Sequence, residues 1–285
     1  MTCGPAPGPV LRCGGKTLDL STPAVMGVLN TTPDSFSDGG HFLDPRRAVE
    51  HAVRMAEAGA AIIDVGGEST RPGARAVSAA EELDRVLPVI EQLAARVAAI
   101  VSVDTSKPEV IRAAAAAGAG FINDVRALKT PGALEAAVES RCAVCLMHMR
   151  GEPATMQEGP TYADVTSEVK AYLLARAQDC LASGIGAERL VIDPGFGFGK
   201  TLAHNLELLR RLPELAATGL PVLVGLSRKS SVGALTGRPA SDRLAGSVAL
   251  AALAVFNGAR IVRAHDVAPT VDAVKIAIAV REAPA

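Results

Sequence analysis

Eight short apolar, β-branched segments recur along the chain: VMGVLN, AIIDVGG, IVSVDT, FINDV, AVCLMH, LVIDPG, PVLVGLS and IVRAHD. Runs this short, bounded by Gly, Pro and Asp, read as strands. Between them lie longer Ala-, Leu- and Glu-rich stretches, among them PRRAVEHAVRMAEAG, SAAEELDRVLPVIEQLAA, DVTSEVKAYLLARAQDCLASG and RLAGSVALAALAVFNGA. These have helical character, and several close on a Gly that suits a helix C-cap. Strand and helix alternate, which demands a parallel sheet, because a parallel neighbour is reached only through a crossover. Eight such units in a chain of 285 residues predict an α/β fold of the closed (β/α)₈, or TIM, barrel kind. A doubly wound open sheet is the alternative. VLRCGGKTLDL near the start predicts a short N-terminal β-hairpin that caps one end of the barrel. No linker, low-complexity tract or charge run divides the chain, so one domain is expected over 1–285, with its core at about 16–281 and flexible ends.

Each apolar segment ends in a polar side chain or a Gly turn: Asn30, Asp64 with Gly66, Asp104, Asn123, His148, Asp193, Ser227 and His265. In a barrel, the C-terminal strand ends share one rim, so these residues are expected to converge on one pocket. Any single one of them could be a loop cap or a satisfied core polar group. Together they are hard to explain that way. The pocket offers carboxylates and an amide (Asp104, Asn123, Asp193) beside cations (Lys229, Arg263, His265). Buried Asp and Asn suit the donor-rich edge of a heterocycle, whereas Arg, His and backbone N–H groups in Gly-rich turns suit phosphate oxygens. A phosphorylated heterocycle fits both halves.

Charge and cysteine use narrow the partners. With 29 basic and 30 acidic residues the formal net charge is -1, so there is no excess positive field for a nucleic acid or an anionic membrane. No apolar run approaches the roughly 18 residues a membrane span requires, and the first residues, MTCGPAPGPVLRCGG, lack the pattern of a secretory signal. A soluble, cytoplasmic protein with small-molecule partners is expected. Cys142 and Cys145 form a CxxC, but inside a strand residues three apart point to opposite faces, which favours buried structural thiols over a metal or redox pair. The five histidines show no HxxxH spacing, so any metal is expected to arrive with substrate. GFGFGKT ends like a phosphate-binding Walker loop, but Pro194 stands where that motif needs its first Gly. GLSRK begins like a nucleophile elbow, but Lys229 replaces its second Gly.

Four segments closely resemble the signature stretches of the dihydropteroate synthase family: VLNTTPDSFSDGG, DVGGESTRPGA, DPGFGFGK and GLSRKS. The similarity extends through NDVRAL, LMHMRGEPATMQ and RAHDV, and covers about residues 16–281. The resemblance implies a TIM barrel that dimerises through barrel helices. It implies an enzyme that condenses 6-hydroxymethyl-7,8-dihydropterin pyrophosphate with 4-aminobenzoate, with Mg²⁺ bridging phosphate oxygens and sulfonamides competing for the aminobenzoate site. Carried over residue by residue, it places the pterin among Asp104, Asn123, Asp193 and Lys229, with Met147, Phe198 and Arg263 around it. Pyrophosphate would meet Asn30, Thr70, Arg71, Arg263 and His265, and Asn30 would also contact the metal. Aminobenzoate would lie against Phe36, Pro72, Gly197 and Phe198, with its carboxylate near Ser230, while TTPDSFSDGG and RPGARAV would act as lids. Lys229, Asp104, Asp193, Arg263 and His265 would carry the chemistry, a dissociative, cation-like departure of pyrophosphate. A pterin-binding methyltransferase domain that serves corrinoid proteins is the nearest enzyme alternative, and a non-catalytic pterin-binding protein is the alternative from another class.

Overall fold

A computed structural model describes residues 9–31, 45–69, 75, 77–152 and 155–283. Its first elements are β1 (Val10–Cys13) and β2 (Lys16–Asp19), which pair antiparallel as a hairpin. The remaining strands are β3 (Ala24–Asn30), β4 (Ile62–Gly66), β5 (Ile100–Asp104), β6 (Phe121–Asp124), β7 (Ala143–Met147), β8 (Leu190–Asp193), β9 (Leu223–Gly225) and β10 (Ile261–Ala264). They form one parallel sheet in the order β8-β7-β6-β5-β4-β3-β10-β9. The two edges meet where the Ile192 N–H donates to the Pro221 carbonyl at 3.0 Å and Ile192 bridges Val222, which closes the barrel. Each of the eight predicted segments supplies one strand. β9 is the shortest, because Pro221 has no N–H to extend the ladder.

The helices that cross over are α1 (Pro45–Glu57), α2 (Ala79–Arg96), α3 (Pro108–Ala116), α4 (Ala133–Ser140), α5 (Val165–Ala182), α6 (Leu202–Arg210), α7 (Leu212–Ala216), α8 (Ser230–Thr236) and α9 (Leu244–Phe256), and α10 (Val267–Arg281) follows the last strand. Local chemistry fixes their starts. Ser78 accepts from the Glu81 N–H while the Glu81 carboxylate accepts from the Ser78 N–H, a capping box at α2. Asp164 caps α5 through the Ser167 N–H. Among the described residues no helix is long and apolar enough to cross a membrane.

Two apolar cores result. The outer one lies between strands and helices and includes Val65, Ile90, Val103, Ile122 and Val144. The inner one fills the lower barrel with Met26, Ile62, Ile100, Phe121 and Leu223, and is plugged by Leu11, Cys13 and Leu20 from the hairpin. Cys142 belongs to the outer core and Cys145 to the inner one, so the CxxC pair faces opposite ways, as the strand period requires.

Candidate active site

Parallel pairing sets the upper barrel in rows. Asn30, Gly66, Asp104, Asn123 and Cys145 are consecutive register partners around β3 to β7, and two residues lower Asp64 pairs with Ser102. Met147 is in register with Asp193, and Arg263 with Gly225 and Met26. Because side chains alternate across a strand, residues in these rows share the barrel interior.

Asp64 is the hub. Its carboxylate, fully buried, accepts from Ser102 Oγ at 2.5 Å, Asn123 Nδ2 at 2.9 Å and Arg263 Nε at 2.6 Å. Arg263 Nη2 donates onward to Asp104 at 2.8 Å, so one guanidinium spans two carboxylates in a fixed plane. Asp193 is buried on the opposite side and accepts from the Gly195 N–H at 2.7 Å. Lys229 donates to the Phe196 carbonyl and lies 4.7 Å from the centre of the Phe198 ring, a cation–π contact. Gly197 backs onto the Lys229 stem.

The electrostatics follow from burying this cluster. Burial pushes the Asp104 carboxyl up to about 7, against the downward pull of the Arg263 guanidinium. Burial also raises Asp193, opposed by the Lys229 ammonium. It lowers Lys229 to about 8, partly offset by Asp193. For Arg263 burial acts downward, but the Asp64 and Asp104 carboxylates outweigh it and hold the guanidinium above its usual value. Asp104 and Lys229 are therefore the two groups of this cluster that burial brings close to neutral pH.

The part of the rim expected from sequence to meet phosphate lies beside it. His265 donates its backbone N–H to Ser227 Oγ at 3.2 Å, and its Nδ1 lies 3.1 Å from the same oxygen. Arg228 grips Asp266 with two bonds, at 2.9 and 2.6 Å, and so ties the turn after β9 to the turn after β10. That clamp keeps Lys229 and His265 on one side of the pocket. Arg228 accepts a left-handed backbone, φ 58°, to make it. Asn30 and Asp104 bring side-chain oxygens close to Gly66, their register partner on β4, where an added Cβ would lie in van der Waals contact with them.

The pterin-binding enzyme family profile matches residues 26–265. The dihydropteroate synthase of Escherichia coli strain K12 is 57% identical over 262 residues, which are 92% of this chain and 93% of that protein. A Xanthomonas albilineans dihydropteroate synthase solved with 4-aminobenzoic acid superposes with a TM-score of 0.92 at 54% identity, covering 97% of this chain and 100% of that one. The same organism's enzyme in complex with 7,8-dihydropteroate gives 0.89 at 52% identity, with the same coverage. The chain belongs to the dihydropteroate synthase family.

For a dihydropteroate synthase fold, the residues brought together are those expected at the pocket. Asp104, Asn123, Asp193, Lys229 and Arg263 form one cluster, Met147 sits beside Asp193 in register, and Phe198 and Gly197 flank Lys229. Asn30 and His265 stand at the rim, and Ser230 opens α8 immediately after Lys229. Phe36, Thr70, Arg71 and Pro72 lie outside the described residues, as do most of the two expected lids. Two groups were not assigned a role from sequence. Asp64 was visible as a lone carboxylate inside an apolar strand, a placement that needs a buried cation. Lys200 ends both a discarded nucleotide motif and the DPGFGFGK stretch, and neither pattern says what its ammonium meets.

Proposed function

We propose that the chain is a transferase that joins 6-hydroxymethyl-7,8-dihydropterin pyrophosphate to 4-aminobenzoate, releasing pyrophosphate and 7,8-dihydropteroate for folate synthesis. The observation that carries this reading is the Asp64–Arg263–Asp104 bridge, with Asn123, Asp193 and Lys229 beside it at one end of the barrel. Carboxylates and an amide on one side suit the amino and ring N–H groups of a pterin, and Lys229 and Arg263 offer donors to its ring nitrogen and oxygen. Phe198, held by Lys229, provides an apolar wall shared by pterin and aminobenzoate, and Met147 supports the ring from below.

In this reading Asp104 and Asp193 hold the pterin N–H groups and stabilise positive charge that develops on the ring as the C–O bond to pyrophosphate lengthens. Arg263, His265, Thr70 and Arg71 take the growing negative charge of the leaving group. The aniline nitrogen of aminobenzoate then adds to the exposed carbon and loses its extra proton to solvent or to the released pyrophosphate, with its ring against Phe36, Pro72, Gly197 and Phe198 and its carboxylate at Ser230, where sulfonamides would compete. Among the described residues, no group of three or more His, Cys, Asp or Glu side chains could hold a metal unaided. The Asn30 side-chain oxygen beside Gly66 is nonetheless of the kind that suits Mg²⁺, a hard cation that keeps several waters and takes its other ligands from phosphate. Bound there by Asn30, Mg²⁺ would neutralise charge on the pyrophosphate.

Assembly and compartment complete the proposal. Leu253 and Phe256 of α9, with Ile276 and Val280 of α10, expose large apolar side chains on two helices that pack together. Such a face favours a homodimer through these helices. Buried free thiols at Cys13, Cys142, Cys145 and Cys180 suit the reducing cytoplasm, where the single barrel domain would act. The test is pyrophosphate release from the pterin substrate with and without 4-aminobenzoate. Release that depends on aminobenzoate and matches dihydropteroate formed is expected. A folded protein that binds pterin but releases none would be a binding protein, and methyl transfer to a corrinoid partner would identify the methyltransferase alternative.

A further inference from the structure

Lys200 ends the GFGFGK stretch, and its ammonium does not face the cavity rim as a nucleotide-loop lysine would. It is 3% exposed and points into the protein. Its Nζ lies 3.0 Å from the Gly195 carbonyl, 3.0 Å from the Phe198 carbonyl and 3.0 Å from His148 Nδ1, with the His148 carbonyl at 3.3 Å. Burial pulls this ammonium down to about 7, against the opposing Asp193 carboxylate; in its protonated form, three N–H groups meet three near acceptors from two different barrel loops. Burial lowers the His148 imidazole to about 3, with the Lys200 charge adding to the effect, so Nδ1 is free to accept. His148 is itself fixed: its N–H donates to the Asp193 carbonyl at 2.9 Å and its ring meets Tyr172 edge-on at 4.9 Å.

What Lys200 gathers is the loop that carries ligand-facing groups. Gly195 packs so closely on the His148 carbonyl that a Cβ would sit 1.9 Å from that oxygen, so the β7 and β8 loops are in backbone contact there. The loop turns through positive φ at Gly195, Gly197 and Gly199, which leaves it little intrinsic stiffness. Its stiffness comes from side chains: Lys200 on the Gly195 and Phe198 carbonyls, Asn205 accepting from the Gly197 N–H at 2.8 Å, and Tyr162 donating to the Gly199 carbonyl at 2.8 Å. The orientation of the Phe198 peptide sets its ring, and the neighbouring Phe196 carbonyl receives Lys229.

We propose that Lys200 is a positioning residue for pterin recognition, cross-linking the β7 and β8 loops through His148, Gly195 and Phe198 and so setting the places of the Phe198 ring and the Lys229 ammonium. This rests on the reading of the cavity as a pterin site. Lys200→Met keeps the length of the stem and removes the three donors. Steady-state kinetics with the pterin pyrophosphate varied should show KM raised roughly tenfold or more, with kcat within about threefold, the pattern of lost binding shared by ground and transition states. A merely structural role would lower the folded fraction, reducing apparent kcat and leaving KM unchanged, and that result would overturn the proposal. If Lys200→Met does not fold, His148→Leu and His148→Asn serve instead. Asn keeps an acceptor near the position of Nδ1, so only His148→Leu should raise KM, and equal KM values in the two would overturn the proposal. Calorimetric titration of the unaltered protein with 6-hydroxymethylpterin separates the two readings: no binding there sinks the pterin site itself, whereas binding with an unchanged KM in Lys200→Met sinks only the role of Lys200.

Discussion

The two ends of the barrel use the same inward-facing strand positions for opposite purposes. At the lower end Ile62, Ile100, Phe121 and Leu223 meet Leu11 and Leu20 of the hairpin in one apolar cluster. At the upper end Asp64, Asp104, Asn123, Asp193 and Arg263 occupy the rows above on the barrel strands, where Asp64 accepts from Asn123 and Arg263, and Arg263 donates onward to Asp104. Apolar packing stabilises without regard to direction, whereas a buried ion cluster contributes little net stability once desolvation is counted. The lower rows therefore hold the barrel together, and the upper rows spend that stability on recognition.

Substitutions can break this division, and the largest effect is expected at Arg263. Arg263→Ala removes the cation shared by two carboxylates and leaves Asp64 buried without a counter-ion. Product formation should fall by about three orders of magnitude or more, equivalent to roughly 4 kcal/mol of transition-state stabilisation. Initial rates of dihydropteroate formation check this, and a fall below tenfold would remove Arg263 from the chemistry. Phe121→Ala probes the lower end. Emptying that fully buried site should cost about 3–5 kcal/mol of stability by denaturant titration, with both KM values unchanged in the protein that remains folded. A shift in KM for the pterin substrate would mean that the two ends are not independent.

A smaller effect sharpens the comparison through pH. In the empty site Asp104 takes up a proton as pH falls through about 7, because burial raises its carboxyl far above the usual carboxylate range. A pterin that donates to this group needs the carboxylate, so affinity should be full above pH 8 and decline below 7, by up to about tenfold per unit. The sign for Lys229 is opposite: burial lowers its ammonium to about 8, and donation to the ligand weakens as pH rises beyond that. Pterin affinity should therefore peak between pH 7 and 8, as calorimetry across pH would register. A flat profile from 5 to 9 would show that neither group meets the ligand.

Much of this arrangement was legible in the sequence. The eight strands were readable because each is a short apolar run closed by a polar residue or Gly, and convergence of Asn30, Asp104, Asn123, Asp193 and His265 on one rim followed from the barrel alone. The hairpin was equally plain from its paired glycines, Gly14 and Gly15. The roles of Asp64 and Lys200 were not, since each depends on distant partners: Asp64 on Arg263, 199 positions along the chain, and Lys200 on His148, 52 positions away. Local patterns specify which way a side chain points, but they do not specify which charge it meets. Separating ligand groups from the residues that orient them therefore required the hydrogen-bond geometry.

Asp193→Asn gives the most direct measurement of the claim that the upper rows exist for pterin recognition. Asp193 is buried and accepts one backbone N–H, from Gly195, through a single carboxylate oxygen. An amide there presents a donor where the pterin also donates. Calorimetric titration with 6-hydroxymethylpterin, run beside a thermal melt, should show affinity weakened by about 2–4 kcal/mol in a protein that still unfolds cooperatively. Near-unchanged affinity in an intact fold would contradict the account, because the central buried acceptor of the proposed pocket would then have no part in holding the ring.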